Sequence, residues 1–191
     1  GRLQALPASP GIARLRNLAR LTLLVVIGQI MLGGWTSTNY AAVACIDLPT
    51  CHGEWWPEMD FATGFNLLHQ EVGPNYLGGM LEGPGRTAIH FTHRIGAVIT
   101  TLMALTLAWQ LWHSRYPLLA SLVTLMLTVQ VALGVTNVLA HLPLPVAVAH
   151  NGVAALLLLS VISVNYRLRA PTSVRRPMQS NSSRRTLAGS V

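Results

Sequence analysis

The chain has 191 residues, of which 51% are hydrophobic and only 10% are charged. These charges are too few to solvate a globule of this size and the apolar residues too many to bury in one, which excludes an ordinary soluble domain. The formal net charge is +7, but the arginines are scattered at the ends of apolar segments and in a tail, so we expect no nucleic-acid partner.

Four apolar stretches are long enough to cross a membrane, which takes about 20 residues. They cover residues 18–37, 87–112, 118–139 and 145–166. Short links after the second and third stretches, with Pro117 and Pro145 suited to a first helical turn, indicate antiparallel neighbours. The sequence therefore predicts an all-α integral membrane protein with a four-helix bundle. Residues 1–17 precede it, residues 38–85 form a loop, and residues 170–191 form a disordered basic tail.

The charges predict how the bundle is oriented. Arginines near the span ends lie mostly on one side, which the positive-inside rule makes the cytoplasm, and Arg86 is the only arginine on the other side; the arginines on the first side are Arg14, Arg16, Arg20, Arg115, Arg167 and Arg169. All six acidic residues lie in the loop at 38–85, which we expect to be periplasmic in a bacterial-type inner membrane. The chain opens with Gly1 and lacks a signal-peptide pattern, so we expect it to be the later part of a longer chain.

A short repeat relates the first and third spans. Gln29 and Gly33 in the first span match Gln130 and Gly134 in the third, and each segment is followed by a loop and a helix with an early histidine. This pattern predicts two pseudo-repeated helical hairpins, related by an axis along the membrane normal.

Two histidines, His93 and His150, lie near the start of the second and fourth spans. These spans run parallel, so we place both imidazoles roughly 8 to 10 Å below the same membrane face. Two imidazoles at one depth can bind one heme iron from opposite sides. The alternative is that each histidine bonds a neighbouring helix carbonyl or threonine. We favour ligation, because ionisable groups inside a membrane are rare and usually functional.

Other polar residues surround this predicted site. His90 lies one turn before His93 and could bond a heme propionate, relay protons or face the loop; we favour a role beside the heme over direct ligation. Arg94 and Arg86 could each pair with propionates, since the guanidinium suits carboxylates. Arg86 could equally extend to the membrane interface.

Cys45 and Cys51 are the only cysteines, and both lie in the predicted periplasmic loop. That space is oxidising, so we expect a local disulfide. Covalent heme attachment is not indicated, because the C-x-x-C-H spacing is absent.

Several of these segments resemble the C-terminal half of heme A synthase, over roughly residues 14–169. The resemblance is carried by residues 33–40 (GGWTSTNY), 45–51 (CIDLPTC), 73–79 (GPNYLGG) and 89–97 (IHFTHRIGA). Family members have eight spans in two halves and oxidise the C8 methyl of heme O to the formyl of heme A, with oxygen from water, for terminal oxidase assembly. The resemblance implies that His93 and His150 bind heme b and that Cys45 and Cys51 form the loop disulfide.

The chain departs from the family at one position. The family's proposed catalytic glutamate lies in the N-terminal half, three residues before a His-Arg pair, and the corresponding residue here is His90. The resemblance therefore implies that the substrate-converting half is missing. The expected partners are heme O, that missing half, membrane lipid, heme O synthase and terminal oxidase assembly factors. The rival interpretations are a bis-histidine cytochrome b for electron transfer, and a transporter or chaperone whose histidines line a proton or copper path.

Overall fold

The computed structural model describes residues 10–66, 81 and 83–169. Its helices are α1 (Pro10–Thr38), α2 (Phe61–Gly64), α3 (Gly83–Trp112), α4 (Pro117–Leu139) and α5 (Leu144–Arg167), with a 3-10 turn at Ala41–Val43. Helices α1, α3, α4 and α5 are each long and apolar enough to span a membrane. The predicted all-α membrane fold is therefore confirmed. The predicted tail at 170–191 and the motif at 73–79 lie outside the described residues.

Helices α1 and α3 begin several residues before the apolar stretches that predicted them. Helix α1 begins at Pro10 and α3 at Gly83, so residues 83–85, which we assigned to the loop, are helical. The first turn of α3 is supported by the loop: the Asp60 N–H donates to the Pro84 carbonyl over 3.1 Å. A hydropathy pattern does not detect this turn, because a hydrogen bond from the loop stabilises it.

The four long helices form a closed ring. Helix α1 packs against α3 and α5, and α4 packs against the same two helices. Helices α3 and α5, which carry His93 and His150, therefore face each other diagonally across the bundle.

The apolar core fills only one end of this bundle. Its buried side chains stop at Val26 on α1, Ala104 on α3, Leu127 on α4 and Leu157 on α5, and continue from there away from the loop. We call the next part of the bundle the loop-side half; it comprises residues 27–38, 91–103, 128–139 and 144–156, and in α3 it is followed towards the loop by the buried Ala88 and Ile89. None of these described residues is a buried apolar side chain. Since protein interiors are normally close-packed with such side chains, the loop-side half is built for something other than a hydrophobic core.

Candidate functional site

His93 and His150 both lie in the loop-side half of the bundle, on the diagonal pair of helices. Both side chains are partly buried. Measured from the helix starts their depths differ, about 15 Å for His93 and about 9 Å for His150, because α3 begins at Gly83. The structure thus places both rings in the loop-side half of the bundle. The equal depths predicted from the sequence were counted from a later start of α3, so they do not measure the positions of the rings.

The ring of His93 is held by two residues of α1. The side-chain nitrogen Nε2 of Gln29 lies 3.1 Å from Nδ1 of His93, and it also donates to the His93 carbonyl over 3.0 Å. One turn further along α1, a Cβ at Gly33 would lie only 3.2 Å from Cε1 of the same ring. Gln29 therefore bonds the imidazole, and Gly33 leaves room for its edge.

A similar arrangement recurs at His150, but with the other nitrogen of the ring. Nε2 of Gln130 lies 3.1 Å from Nε2 of His150, and a Cβ at Gly134 would lie 3.2 Å from Cε1. We call Gln29 with Gly33, and Gln130 with Gly134, the two Gln–Gly segments. Gly33 and Gly134 each lie five residues before the end of their helix, at Thr38 and Leu139. The sequence repeat thus corresponds to a repeated contact with the following histidine-bearing helix.

These contacts leave a different ring nitrogen on each histidine. Gln29 engages Nδ1 of His93, which leaves Nε2 for a metal, whereas Gln130 engages Nε2 of His150 and leaves the buried Nδ1, which has no hydrogen-bond partner among the described residues. The described part of the chain holds no group of three or more metal-binding side chains. A pair of imidazoles fits a metal that brings its own equatorial ligands, as heme iron does.

Comparison with known proteins identifies the family. The family described as cytochrome oxidase assembly protein matches residues 2–162. Heme A synthase of Shewanella oneidensis is 48% identical over 158 residues, which cover 82% of this chain and 48% of the relative. Heme A synthase of Rhizorhabdus wittichii is 30% identical over 83% of this chain and 42% of the relative. This chain belongs to the heme A synthase family. It spans about half the length of these relatives, and no solved structure matches it.

In this member of the heme A synthase family, the loop after α1 contains the predicted disulfide between Cys45 and Cys51. The carboxylate of Asp47 organises the turn that follows, accepting hydrogen bonds from the Thr50 hydroxyl and from the backbone N–H groups of His52 and Gly53. These bonds, the Thr50 hydroxyl first, lower the pKa of Asp47 to about 2. The loop is thus fixed by its own polar contacts as well as by the disulfide.

His90 and Arg94 contact this loop. His90 is buried, and its Nδ1 accepts the Cys45 N–H over 3.3 Å. The Arg94 guanidinium donates to the Thr50 carbonyl over 2.9 Å and to the Cys45 carbonyl over 2.8 Å. Among the three roles considered for His90, these contacts correspond to a side chain that faces the loop. A heme contact for either residue stays a prediction, as it does for Arg86 in the first turn of α3.

The sequence reasoning did not assign a role to Gln29 or Gln130. The repeat was recognised, but it served only as evidence for the pseudo-symmetry of the bundle. The available signal was chemical: each glutamine is a polar side chain inside an apolar span, and such residues usually bond a neighbouring helix.

Proposed function

We propose that this chain is the heme b-binding half of a heme A synthase, with His93 and His150 as the axial ligands of the iron. The observation that carries the proposal is the pair of imidazoles on diagonal helices, each bonded through one nitrogen to a glutamine. The heme A synthase relatives support it. When bound, heme supplies an iron that accepts and passes on single electrons. The protein's part would be to supply one imidazole from α3 and one from α5 to hold the heme.

The proposed reaction is oxidation of the C8 methyl of heme O to a formyl group, for assembly of terminal oxidases. We expect it to need the part of the relatives that this chain does not span. Proton transfer at a reacting carbon requires a positioned acid or base, and none of the four described spanning helices contains Asp or Glu. His90 is the remaining candidate, and its Nδ1 already accepts the Cys45 N–H. Heme O synthase and oxidase assembly factors are proposed partners on the family relationship alone.

The proposed orientation has the disulfide loop in the periplasm and both termini in the cytoplasm. Arg14, Arg16 and Arg20 lie in the early turns of α1, and Arg115, Arg167 and Arg169 flank the other helices at the same end of the bundle. This charge distribution follows the positive-inside rule. Fusion of a compartment-specific reporter after Arg169 tests it, and a periplasmic signal there would contradict the orientation.

The heme proposal is tested by optical spectra of the purified membrane protein. We expect a low-spin b-type spectrum that is lost in His93→Ala and in His150→Ala. The matched control is His113→Ala, since His113 is exposed at the far end of α3 and its Nδ1 contacts only the Trp109 carbonyl there, at 2.9 Å. Unchanged heme content in both ligand variants would refute the assignment.

A bis-histidine cytochrome b that only transfers electrons is the second candidate. It is favoured by one observation: besides His93 and His150 the described spanning helices contain no carboxylate and only one further imidazole, His90, which bonds the loop. The two candidates differ in what happens with heme O. Expression of the chain together with the N-terminal half of a relative should yield heme A for the synthase and none for the cytochrome. The chain alone should yield no heme A. If the chain alone does produce heme A and His90→Ala does not, this half is itself catalytic.

A further inference from the structure

We infer that the two Gln–Gly segments are positioning elements for the histidine ligands, each fixing the orientation of one imidazole relative to the heme. This inference rests on the proposed heme ligation and assigns new roles to Gln29, Gly33, Gln130 and Gly134. A histidine ring can rotate about its Cα–Cβ and Cβ–Cγ bonds, so a ligand ring normally needs a partner on its other nitrogen. Here each ring has two constraints, a bond to a nitrogen and a close contact at Cε1.

The first constraint is the glutamine amide. At His93 the amide of Gln29 is held in place by its bond to the His93 carbonyl as well as by its contact with Nδ1. Gly96, one turn after His93, makes room for this amide, because a Cβ there would collide with Oε1 of Gln29. The Oε1 atoms of Gln29 and Gln130 are buried without a partner among the described residues. Each amide therefore carries both a donor and an acceptor, so it can donate to the ring nitrogen that it contacts or, with the amide turned over, accept the proton of that nitrogen.

The second constraint is the glycine. A Cβ at Gly33 or Gly134 would lie 3.2 Å from Cε1 of the ring, closer than an ordinary van der Waals contact, whereas Gly34 and Gly152 have no atom within 4 Å of such a Cβ. An alanine at Gly33 or Gly134 would therefore turn or displace the ring. Alanine is also the better helix former, so the change is not expected to unfold the helix. The glycines thus test ring position separately from hydrogen bonding.

An ordinary interhelical hydrogen bond would account for the glutamines without any role at the heme. The two explanations predict different effects on the heme when the glutamine is replaced. Partners of a ligand histidine tune its basicity and orientation, and their loss typically lowers metal affinity by roughly 10- to 100-fold. A bond that only joins helices would leave the reduction potential and the magnetic spectrum of the heme unchanged.

The experiment uses the full chain purified in detergent and titrated with heme. The measured quantities are heme affinity, midpoint potential and the electron paramagnetic resonance spectrum of the ferric heme, which reports the relative orientation of the two imidazole planes. We expect Gln29→Leu and Gln130→Leu to lose roughly 10- to 100-fold in affinity and to shift the potential and the spectrum. Gln29→Glu keeps an acceptor at the same place and should restore affinity. The matched control is Gln110→Leu, since Gln110 is exposed on α3.

Gly33→Ala and Gly134→Ala should alter the resonance spectrum, while the matched changes Gly34→Ala and Gly152→Ala should not. If the leucine variants do not fold, the alanine variants decide. Affinity, potential and spectrum equal to those of the controls would overturn this inference and leave the ligand assignment intact. Absence of low-spin heme from the unmodified chain would overturn both.

Discussion

Replacement of Arg94 should release the disulfide loop from α3. The guanidinium donates to the Thr50 carbonyl over 2.9 Å and to the Cys45 carbonyl over 2.8 Å. Thr50 directly precedes Cys51, so both bonds lie at the disulfide. Arg94→Ala removes both bonds. Arg94→Lys keeps the charge, but a lysine ammonium lacks the planar fork that reaches two carbonyls at once, so we expect it to retain one bond.

The size of the effect follows from the two bonds. A hydrogen bond to a charged group contributes about 1.5–3 kcal/mol, and Arg94 is partly exposed, so we take the lower value for each bond. Their combined loss is about 3 kcal/mol, which raises the population of the open loop on the order of 100-fold, since 1.4 kcal/mol corresponds to a factor of ten. Arg94→Lys should then raise it roughly tenfold on the same scale.

The disulfide itself reports the opening. Cys45 and Cys51 are 1% and 0% exposed, so a reductant reaches them only when the loop leaves α3. The assay is the rate of disulfide reduction, followed by alkylation and mass measurement. Arg115→Ala is the control, since Arg115 is exposed between α3 and α4 at the other end of the bundle. Reduction of Arg94→Ala at the rate of the unmodified protein would show that the guanidinium does not hold the loop.

Two further predictions concern the same end of the molecule. Gly64→Ala should lower the thermal stability of the protein, because the new Cβ would lie 2.7 Å from the Gly85 carbonyl oxygen, whereas Gly83→Ala, with no described atom within 4 Å, should not; equal melting temperatures would contradict this. The pKa of Asp47 is lowered from 3.8 to about 2. The stabilisation that its carboxylate gives to the loop is therefore fully present above about pH 4 and is lost as the pH falls towards 2. Disulfide reduction by a phosphine should therefore accelerate between pH 4 and 2 relative to Asp47→Asn measured at the same pH, which controls for protonation of the phosphine; a ratio of the two rates that stays constant would refute it.

The fold could be predicted from the sequence because the bilayer imposes a simple requirement. A span must be apolar and about 20 residues long, and α4 and α5 match the expected bounds to within one residue. The starts of α1 and α3 could not be predicted this way. Those turns lie beyond the apolar stretches, and the first turn of α3 depends on contacts with Asp60 and Gly64, which are distant in sequence.

The site was only partly predictable for a related reason. Histidines inside apolar spans are conspicuous, so His93 and His150 could be singled out. Their partners depend on which helices are neighbours in the ring, and the sequence does not contain that order. The repeat of Gln29 and Gly33 at Gln130 and Gly134 was visible, but its meaning required the packing of α1 on α3 and of α4 on α5.

The neighbouring residues His93 and Arg94 illustrate how adjacency in sequence differs from proximity in a site. Successive helical residues point about 100° apart, at 3.6 residues per turn. His93 therefore meets Gln29 and Gly33 of α1, while Arg94 turns to the disulfide loop. His90, four residues before Arg94 and so on nearly the same face, bonds the same loop at Cys45. Helix α3 thus presents one face to the proposed heme and another to the loop. Because both faces belong to one helix, anchoring the loop also fixes the rotation of α3, and with it the orientation of the His93 side chain that we propose as a heme ligand.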